Sequence, residues 1–506
     1  MSSAAPLSLR KLDVDSSRPL GLLRSLQGVS GAPRPPIKTA MEPTSFFDTW
    51  APFLCYTGVD VSEGYKMARI DIVRTHDMPG AGDIDGRYVG EMPLADGTAL
   101  DLSTLNSAVV FPDMSADPED PASYNFGPTD DLVQSIVDIG ADVIYRIGRT
   151  IRADSSPPDP EKYAAIVKHL VMHYNCGWAN GFHHNIRYWE LWNEPDYDFD
   201  LGFWSGTPEQ FYELYAAIAK AVKSVDPTLE VGGPAISVSN DVQPFREGFM
   251  DYVSRNKLPL DFFSWHWYGI DSYDPIGFNV IAAELRRLLD ERGLTDAKLF
   301  LDEWNGGIML TEADLVSAAG RAAFMTSSVL YMQDSPIERS LYYNGYSPFG
   351  ADGASPNEVG SAFIALGKLK DTPLRLALTG ADDKGFAAVA GTSEDGRLTQ
   401  ILISNFQIPE AYLVPRPDGD VISMPDNIAG GKITLLPRRE LSYADNGGYS
   451  LSVRNLEPGS YRIERFRISD AGNMTELPTE IRSGSIVSIE GALPPPGIEL
   501  VRLIRE

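Results

Sequence analysis

YWELWNEPD, residues 188–196, is the stretch of sequence that decides the fold. It predicts a buried, aromatic β-strand that ends in Asn193-Glu194-Pro195. Further along the chain, KLFLDEWN at residues 298–305 predicts a second buried strand, which ends in Glu303. Each strand therefore carries a carboxylate at its C-terminal end, which is where a (β/α)8 barrel places its chemistry.

A pair of carboxylates at such strand ends is what glycoside hydrolysis requires. We expect Glu194 to be the general acid/base, because burial beside Trp192 and a nearby charge favour its protonated form. We expect Glu303 to stay ionised as the nucleophile. Asn193 is a candidate donor to the C2 hydroxyl of a sugar. Either acid taken singly could also be a solvated loop carboxylate.

Bulk composition narrows the class of protein. The chain has 506 residues, which predicts two domains, and a formal net charge of −27, which argues against nucleic acid and anionic membranes. Cys55 and Cys176 are too few for a disulfide framework, and the N-terminus shows no signal peptide, so we predict a cytoplasmic protein. The predicted partner is a small carbohydrate, with no nucleic acid and no membrane, and a homo-oligomer is left open.

Two patterns divide the chain. Up to residue 372, short apolar strands alternate with helices, which predicts an α/β barrel. The clearest helix begins at Thr207, with proline at its first position and Gln210 at its third, the pattern of a capping box. Residues 67–74 are expected to form a strand. From residue 373 to 506, short strands separated by Gly, Pro, Asp and Asn predict an all-β sandwich.

Seven segments in order carry a resemblance to a known family: residues 72–76 (IVRTH), 123–126 (SYNF), 189–196 (WELWNEPD), 221–227 (AVKSVDP), 231–236 (VGGPAI), 261–268 (DFFSWHWY) and 302–305 (DEWN). The chain resembles glycoside hydrolase family 39, a retaining family that includes β-xylosidases and α-L-iduronidases. The resemblance implies a catalytic (β/α)8 TIM barrel over residues 20–372. It also implies a C-terminal all-β sandwich domain, residues 373–506, which the N-terminal residues 1–19 join.

The resemblance implies roles for further residues. Arg74 and His76 fall on the motif of the second barrel strand, where the histidine contacts the sugar. His266 and Tyr268 fall on the motif of the sixth strand, where the tyrosine hydroxyl holds Glu303 ionised. Two more candidate substrate-binding residues stand beside these motifs, Trp304 next to Glu303 and Tyr343 at the end of the eighth strand.

Three departures from the xylosidases bear on specificity. The segment between His76 and Tyr124 is longer than in those enzymes, and we expect it to close over the pocket and impose exo cleavage. Within it, Asp83 and Asp85 resemble part of a calcium loop, although the ligand series is incomplete. Arg149, after the third strand, is a candidate contact for a substrate carboxylate or a second sugar, and the alternative is an internal ion pair. The third departure is a tyrosine, Tyr343, where the wider clan usually has tryptophan.

The sequence thus predicts a retaining exo-glycosidase, β-xylosidase-like, that needs no cofactor and no metal. One alternative keeps the mechanism and changes the sugar, to an α-L-arabinofuranosidase, a galactosidase or a uronidase. The other is a catalytically inactive sugar-binding barrel. His169 and His173 have metal-like spacing on a predicted helix, but the accompanying motif is absent, so we expect a surface pair.

Overall fold

The structure is a computed structural model. It describes residues 9–34, 59–76, 80–88, 90–93, 99–150, 153–196, 203–238, 243–269, 273–306, 316–350, 352–409, 422–423, 432–433, 441–443 and 447–506. The strands of these ranges are β1 (Arg10–Leu22), β2 (Gly28–Ser30), β3 (Ile72–Thr75), β4 (Glu91–Pro93), β5 (Ala99–Asp101), β6 (Asp142–Ile147), β7 (Tyr188–Leu191), β8 (Glu230–Ser237), β9 (Phe262–Tyr268), β10 (Lys298–Asn305), β11 (Ile337–Tyr342), β12 (Leu374–Thr379), β13 (Phe386–Thr392), β14 (Leu398–Asn405), β15 (Ile422–Ser423), β16 (Lys432–Ile433), β17 (Gly448–Arg454), β18 (Gly459–Ser469), β19 (Gly472–Gly484), β20 (Val487–Ala492) and β21 (Gly497–Arg505). The helices are α1 (Ser62–Ala68), α2 (Gly127–Asp138), α3 (Pro160–Cys176), α4 (Pro208–Val225), α5 (Gln243–Asn256), α6 (Gly277–Glu291), α7 (Ala318–Met332) and α8 (Glu358–Lys368).

Eight parallel strands close into a barrel in the order β2, β3, β6, β7, β8, β9, β10 and β11, with β11 pairing back to β2. A helix follows each strand, so the predicted (β/α)8 barrel is confirmed. Side chains from six of the strands form a separate apolar cluster, which fills the barrel interior: Ile72, Ile144, Tyr188, Phe262, Phe300 and Leu341. The outward-facing side chains pack against the helices in a larger core.

Local signals fix where several elements begin and end. Thr207 caps α4, and Gln210 completes the capping box that the sequence predicts. The strand expected over residues 67–74 is partly wrong, because Met67 and Ala68 close α1. Arg69 then ends that helix in a left-handed conformation, and β3 begins only at Ile72.

A second, nine-stranded sheet has the order β19-β18-β21-β14-β13-β12-β1-β17-β20. Tyr449 of β17 donates a hydrogen bond of 2.7 Å to Glu499 of β21, although four strands lie between β17 and β21 in the sheet. The sheet therefore curls until its two arms face each other across an apolar core, which agrees with the predicted sandwich. The N-terminal strand β1 belongs to this sheet, while the boundaries at residues 19 and 373 stay a prediction.

No helix among the described residues is both long and apolar enough to span a membrane. Cys176 is exposed, and Cys55 lies outside the described residues.

Candidate active site

Glu194 and Glu303 meet at the C-terminal end of the barrel. Glu194 follows β7 in a left-handed conformation (φ 42°), and its backbone N–H donates to the carbonyl of Ala235 at 2.9 Å. Glu303 lies on β10. A carboxylate oxygen of each acid and a ring nitrogen of His266 all lie within 4.8 Å of one another. Both acids are buried, with 9% and 6% of their surfaces exposed.

The carboxylate of Glu303 is surrounded by donors. The Tyr268 hydroxyl donates to Oε1, Nη1 of Arg74 lies 3.2 Å from Oε2, and Nε2 of His76 lies 3.1 Å from the same oxygen. Burial, together with the charge of Glu303, raises the pKa of Tyr268 well above its usual value, so the phenol keeps the proton that it donates. Hydrogen bonds and positive charge of this kind stabilise the ionised form of a carboxylate.

A β-bulge places two consecutive acids inside the barrel. Leu301 pairs with Trp265 and Glu303 pairs with His266, so Asp302 is an extra residue in the ladder between β10 and β9. A bulge of this kind changes the direction of the side chains around it. Asp302 and Glu303 can therefore both approach Arg74, instead of pointing to opposite faces of the strand.

Arg74 connects the acid pair to a second pair of acids. Its Nε lies 2.5 Å from Oε2 of Glu190 and 3.3 Å from Oδ2 of Asp302. Burial would raise the pKa of Glu190, but Arg74 and hydrogen bonds from Asp302 and Ser264 lower it to about 2. Burial and the adjacent charge of Glu190 raise the pKa of Asp302 well above its usual value. Of these two acids, Glu190 therefore holds the negative charge more readily than Asp302.

His266 lies between the two pairs of acids. Its Nδ1 is 3.0 Å from Oε1 of Glu194, and its Nε2 is 3.5 Å from Oδ1 of Asp302. Burial lowers the pKa of His266 to about 4, so the ring is neutral at pH 7. One ring nitrogen then carries a hydrogen and the other accepts one.

The side-chain amide of Asn193 is oriented by Arg74. Nη2 of Arg74 donates to Oδ1 of Asn193 at 3.0 Å. A guanidinium can only donate, so the amide atom that faces it is the oxygen, and the NH2 group is left to donate elsewhere. This orientation suits the predicted role of Asn193 as a donor to a sugar hydroxyl.

Tyr343 stands beside the residues that contact Glu303. Its ring centroid is 6.2 Å from that of His76 and 6.1 Å from that of Tyr268. The structure therefore gathers His76, Tyr268 and Tyr343 around one carboxylate, although they come from three separate strand ends.

Trp304 does not belong to this group, contrary to its predicted sugar contact. Its indole is 1% exposed and packs against Phe278 and Tyr342, with ring centroids 4.9 and 5.3 Å away. Successive side chains of a strand point to opposite faces, so Trp304 turns outward where Glu303 turns inward. It is part of the core between the barrel and α6.

Arg149 forms the internal ion pair, not the predicted sugar contact. It is 2% exposed, and its Nε and Nη2 each lie 2.7 Å from an oxygen of Asp85. Its Nη1 donates to the carbonyls of Asp154 and Ser156 at 2.6 and 2.8 Å. Four of the five N–H groups of the guanidinium are thereby committed to the protein.

The insert after His76 is fastened to the end of β6 by two such pairs. Asp83 lies 2.7 Å from Nη2 of Arg146 and accepts from the backbone of Thr150, which parallels the pair of Asp85 with Arg149. Asp83 and Asp85, which resembled calcium ligands in the sequence, are thus each paired with an arginine. The described part of the insert therefore lies at the C-terminal end of the barrel, which is also the end that carries Glu194 and Glu303.

His169 and His173 are buried, so the expectation of a surface pair is wrong. His173 stacks on Phe126, with ring centroids 3.6 Å apart, and its Nε2 lies 3.0 Å from Asp130. His169 lies between aromatic rings and 3.3 Å from Glu119. Each imidazole therefore packs among aromatic side chains, with Tyr124 and Trp178 around His169 and Phe126 against His173.

In the described part of the chain, one trio of possible metal ligands lies close together, namely Glu194, His266 and Glu303. Two of its members are the candidate catalytic acids, and the guanidinium of Arg74 already supplies positive charge to Glu303.

Sequence reasoning gave no role to Glu190, Asp302 or Asp196, and it named Arg74 only as part of a motif. A signal was available for each, since a charged residue inside an apolar strand stays buried only when it is paired. Asp196 accepts from the backbone of Ser237 at 3.0 Å. Burial is the main cause that raises the pKa of Asp196 to about 8, with the charge of Glu194 as a further contribution.

Comparison with known proteins agrees with this geometry. Residues 149–344 match the model of glycosyl hydrolases family 39. A glucosidase from Croceicoccus marinus is 35% identical, with a TM-score of 0.82, and the match covers 99% of this chain and 100% of that one. The chain belongs to glycoside hydrolase family 39.

Two further similar proteins are β-xylosidases, one matched by sequence and one by structure. That of Caldicellulosiruptor saccharolyticus is 28% identical over 166 residues, which span 29% of this chain and 32% of the relative. The matched segment thus covers about a third of that curated relative's length. A monomeric β-xylosidase from Caulobacter crescentus has the same fold, with 15% identity, a TM-score of 0.63 and coverage of 98% and 99% of the two chains.

Proposed function

We propose that this family 39 protein is a retaining, exo-acting glycoside hydrolase, β-xylosidase-like, that removes a terminal sugar from small oligosaccharides or glycosides. One observation carries the proposal: two buried carboxylates, Glu194 and Glu303, have oxygens within 4.8 Å of each other at the catalytic end of the barrel. Retaining enzymes hold their carboxyl groups roughly 5–5.5 Å apart, and inverting enzymes roughly 6.5–9.5 Å apart. Such a close approach of two carboxylate oxygens supports the shorter, retaining separation, in which no water fits between Glu303 and the anomeric carbon, and so it favours double displacement.

The different surroundings of the two acids assign their roles. Glu303 accepts from Tyr268 and lies beside Arg74 and His76, which suits an ionised nucleophile. Glu194 contacts a neutral imidazole through Oε1, which suits an acid that must carry a proton and lose it.

The two half-reactions follow from these roles. Glu303 attacks the anomeric carbon and forms a bond to it, the bond to the leaving oxygen breaks, and Glu194 gives its proton to that oxygen. Glu194 then takes a proton from water, the resulting hydroxide attacks the anomeric carbon, and the bond to Glu303 breaks. Asn193, His76 and Tyr343 contact the sugar, and the insert limits the pocket to one terminal residue.

Two sugars have support from the relatives. The curated relatives are β-xylosidases, whereas the full-length relative is a glucosidase. A glucoside is therefore the second candidate substrate, ahead of arabinofuranoside, galactoside and uronide. The cytoplasmic location and the oligomeric state stay predictions.

A panel of aryl glycosides tests the proposal. We expect the enzyme to hydrolyse the aryl xyloside or the aryl glucoside. It should hydrolyse only traces of the arabinofuranoside, the galactoside and the uronide. Failure to hydrolyse any activated glycoside would point instead to the inactive sugar-binding barrel.

Paired variants test the two roles. Glu303→Ala should lose essentially all turnover, because no nucleophile remains. Glu194→Ala should keep activity on glycosides with an activated leaving group, and azide should partly restore it. Glu303→Gln and Glu194→Gln are the matched isosteric controls. Near wild-type turnover by Glu303→Ala would refute the assignment.

A further inference from the structure

The backbone around Glu194 is attached to the neighbouring strand β8 by two hydrogen bonds. The regular pairing of β7 with β8 stops short of this point. Beyond it, the backbone N–H of Glu194 donates to the carbonyl of Ala235 at 2.9 Å. The backbone N–H of Ser237 then donates to Oδ1 of Asp196 at 3.0 Å. The side chain of Asp196 thus supplies the second bond, where a regular ladder would use a backbone carbonyl.

The bond from Ser237 attaches Asp196 to a row of residues that contains the other catalytic candidate. Ser237 of β8 pairs with His266 of β9, and His266 pairs with Glu303 of β10. Nδ1 of His266 also lies 3.0 Å from Oε1 of Glu194. Asp196 therefore ties the backbone that carries one acid to the row that carries the other acid, and to the imidazole that contacts the first.

This junction needs such a tie, because its backbone is irregular on both strands. Trp192 and Glu194 after β7 are left-handed (φ 72° and 42°), and so is Ala235 in β8 (φ 55°). The pairing of β8 with β9 also shifts register between Gly233 and Ile236. A left-handed residue other than glycine costs about 1–3 kcal/mol and persists only where surrounding contacts hold it.

The Asp196 carboxyl is suited to a hydrogen bond that does not depend on its charge. The residue is buried, which protects the bond to Ser237 from water. Burial above all raises the pKa of Asp196 to about 8, and the charge of Glu194 raises it further, so the group is mostly neutral at pH 7. A neutral carboxyl group has one carbonyl oxygen and one donor, which an asparagine amide reproduces in shape.

We propose that Asp196 is a positioning residue, which sets the place of Glu194 relative to Glu303 by fixing the backbone of the general acid to the end of β8. This role rests on the proposed function, because Glu194 must be the acid/base. Without the tie, Glu194 can move away from the leaving oxygen, whereas Glu303 stays held by Arg74 and Tyr268. A misplacement of about 1 Å can cost a reaction about 100-fold in rate.

Three substitutions of Asp196 vary the tie and little else. Asp196→Asn keeps an acceptor at the position of Oδ1. Asp196→Ala removes the acceptor, and Asp196→Ser keeps a polar side chain that ends one bond short of Ser237. The matched control is Asp261→Ala. Asp261 also accepts from a backbone N–H of β8, that of Val231 at 2.8 Å, but at the opposite end of the strand.

The measurement is kcat/KM on a phenyl and a dinitrophenyl glycoside of the same sugar, since only the phenolate leaving group needs protonation. Asp196→Ala and Asp196→Ser should lose about 10- to 100-fold on the phenyl glycoside and less than about threefold on the dinitrophenyl glycoside. Asp196→Asn and Asp261→Ala should stay within about threefold of wild type on both substrates.

The difference between the two leaving groups separates a positioning role from a structural one. A residue that only stabilises the fold would lower both activities by the same factor. An equal loss on both substrates, or wild-type activity of Asp196→Ala and Asp196→Ser on the phenyl glycoside, would overturn the positioning role. If Asp196→Ala does not fold, Asp196→Ser decides, and its dinitrophenyl activity shows that its active site is assembled.

Glu194→Ala, measured in parallel, separates this role from the proposed function. It should lose far more activity on the phenyl glycoside than on the dinitrophenyl glycoside. If Glu194→Ala loses both equally, the proposed function itself fails. If Glu194→Ala shows the expected difference and the Asp196 variants do not, only the positioning role of Asp196 is wrong.

Discussion

Replacing Arg149 by alanine should destabilise the barrel and leave sugar preference unchanged. The guanidinium is 2% exposed and pairs with both oxygens of Asp85 at 2.7 Å. Removing one partner of a buried ion pair leaves the other charge uncompensated, which costs about 3–5 kcal/mol. The carbonyls of Asp154 and Ser156 also lose their donor, so we expect the upper part of that range.

Urea unfolding followed by tryptophan fluorescence measures this cost, because the seven tryptophans that the structure describes all lie in the barrel part of the chain. A double variant, Arg149→Leu with Asp85→Leu, is the matched control. It removes both charges together, so it should recover most of the loss, as other buried pairs replaced by apolar residues do. Activity is compared well below the unfolding transition.

The pattern across substrates decides the outcome. The kcat/KM of Arg149→Ala should change by one common factor for every aryl glycoside. Wild-type stability, combined with a loss confined to one sugar, would show that Arg149 contacts substrate and would refute the internal role.

Three other expectations can be checked with single variants. Tyr268→Phe removes a donor to the Glu303 carboxylate, worth about 1.5–3 kcal/mol, so kcat/KM should fall about 10- to 100-fold, whereas the control Tyr215→Phe should have little effect. The pKa of Asp196 is higher in the folded state than in the unfolded state, so the folded state binds a proton that the unfolded state releases. The free energy of unfolding should therefore fall as pH rises from about 4 to about 8, by up to about 1.4 kcal/mol per pH unit. Asp196→Asn should flatten this slope when the free energy of unfolding is measured by urea titration at each pH. Trp304→Ala should cost about 3–5 kcal/mol of unfolding free energy without raising KM selectively, and a selective rise in KM would restore Trp304 to the sugar site.

Much of the fold could be predicted because the sequence carries strong local signals. Residues 188–196 have both the strand and the acid that ends it, and the capping box at Thr207 marks a helix start to the residue. These signals depend on neighbouring residues alone. The strand misassigned over residues 67–74 shows their limit, since the end of α1 depends on the left-handed Arg69.

The members of the candidate site could be predicted only where the residue type and its place at a strand end or in a family motif are enough to assign a role. Glu194 and Glu303 follow from strand ends, and Tyr268 from a family motif. The bulge at Asp302 could not be predicted, because a bulge is a property of the pairing between β10 and β9. That bulge decides that Trp304 turns outward and that Asp302 turns inward.

The ion pair between Asp85 of the insert and Arg149 could not be predicted from the sequence either. Asp85 and Arg149 are far apart in the chain, and either could have faced solvent or substrate. Only the fold brings them together, and burial then favours an ion pair over an open ligand site.

During turnover Glu303 should become covalently bonded to the sugar, and trapping this bond is the sharpest check of the proposed mechanism. A fluorosugar with fluorine beside the anomeric carbon and fluoride as leaving group slows both half-reactions, but its good leaving group lets the first proceed, so a covalent intermediate accumulates. Mass spectrometry should then find one fluorosugar per chain, on the peptide that contains Glu303, and none in Glu303→Gln. A label on Glu194, or steady turnover of unmodified glycosides by an enzyme that never becomes labelled, would contradict the account.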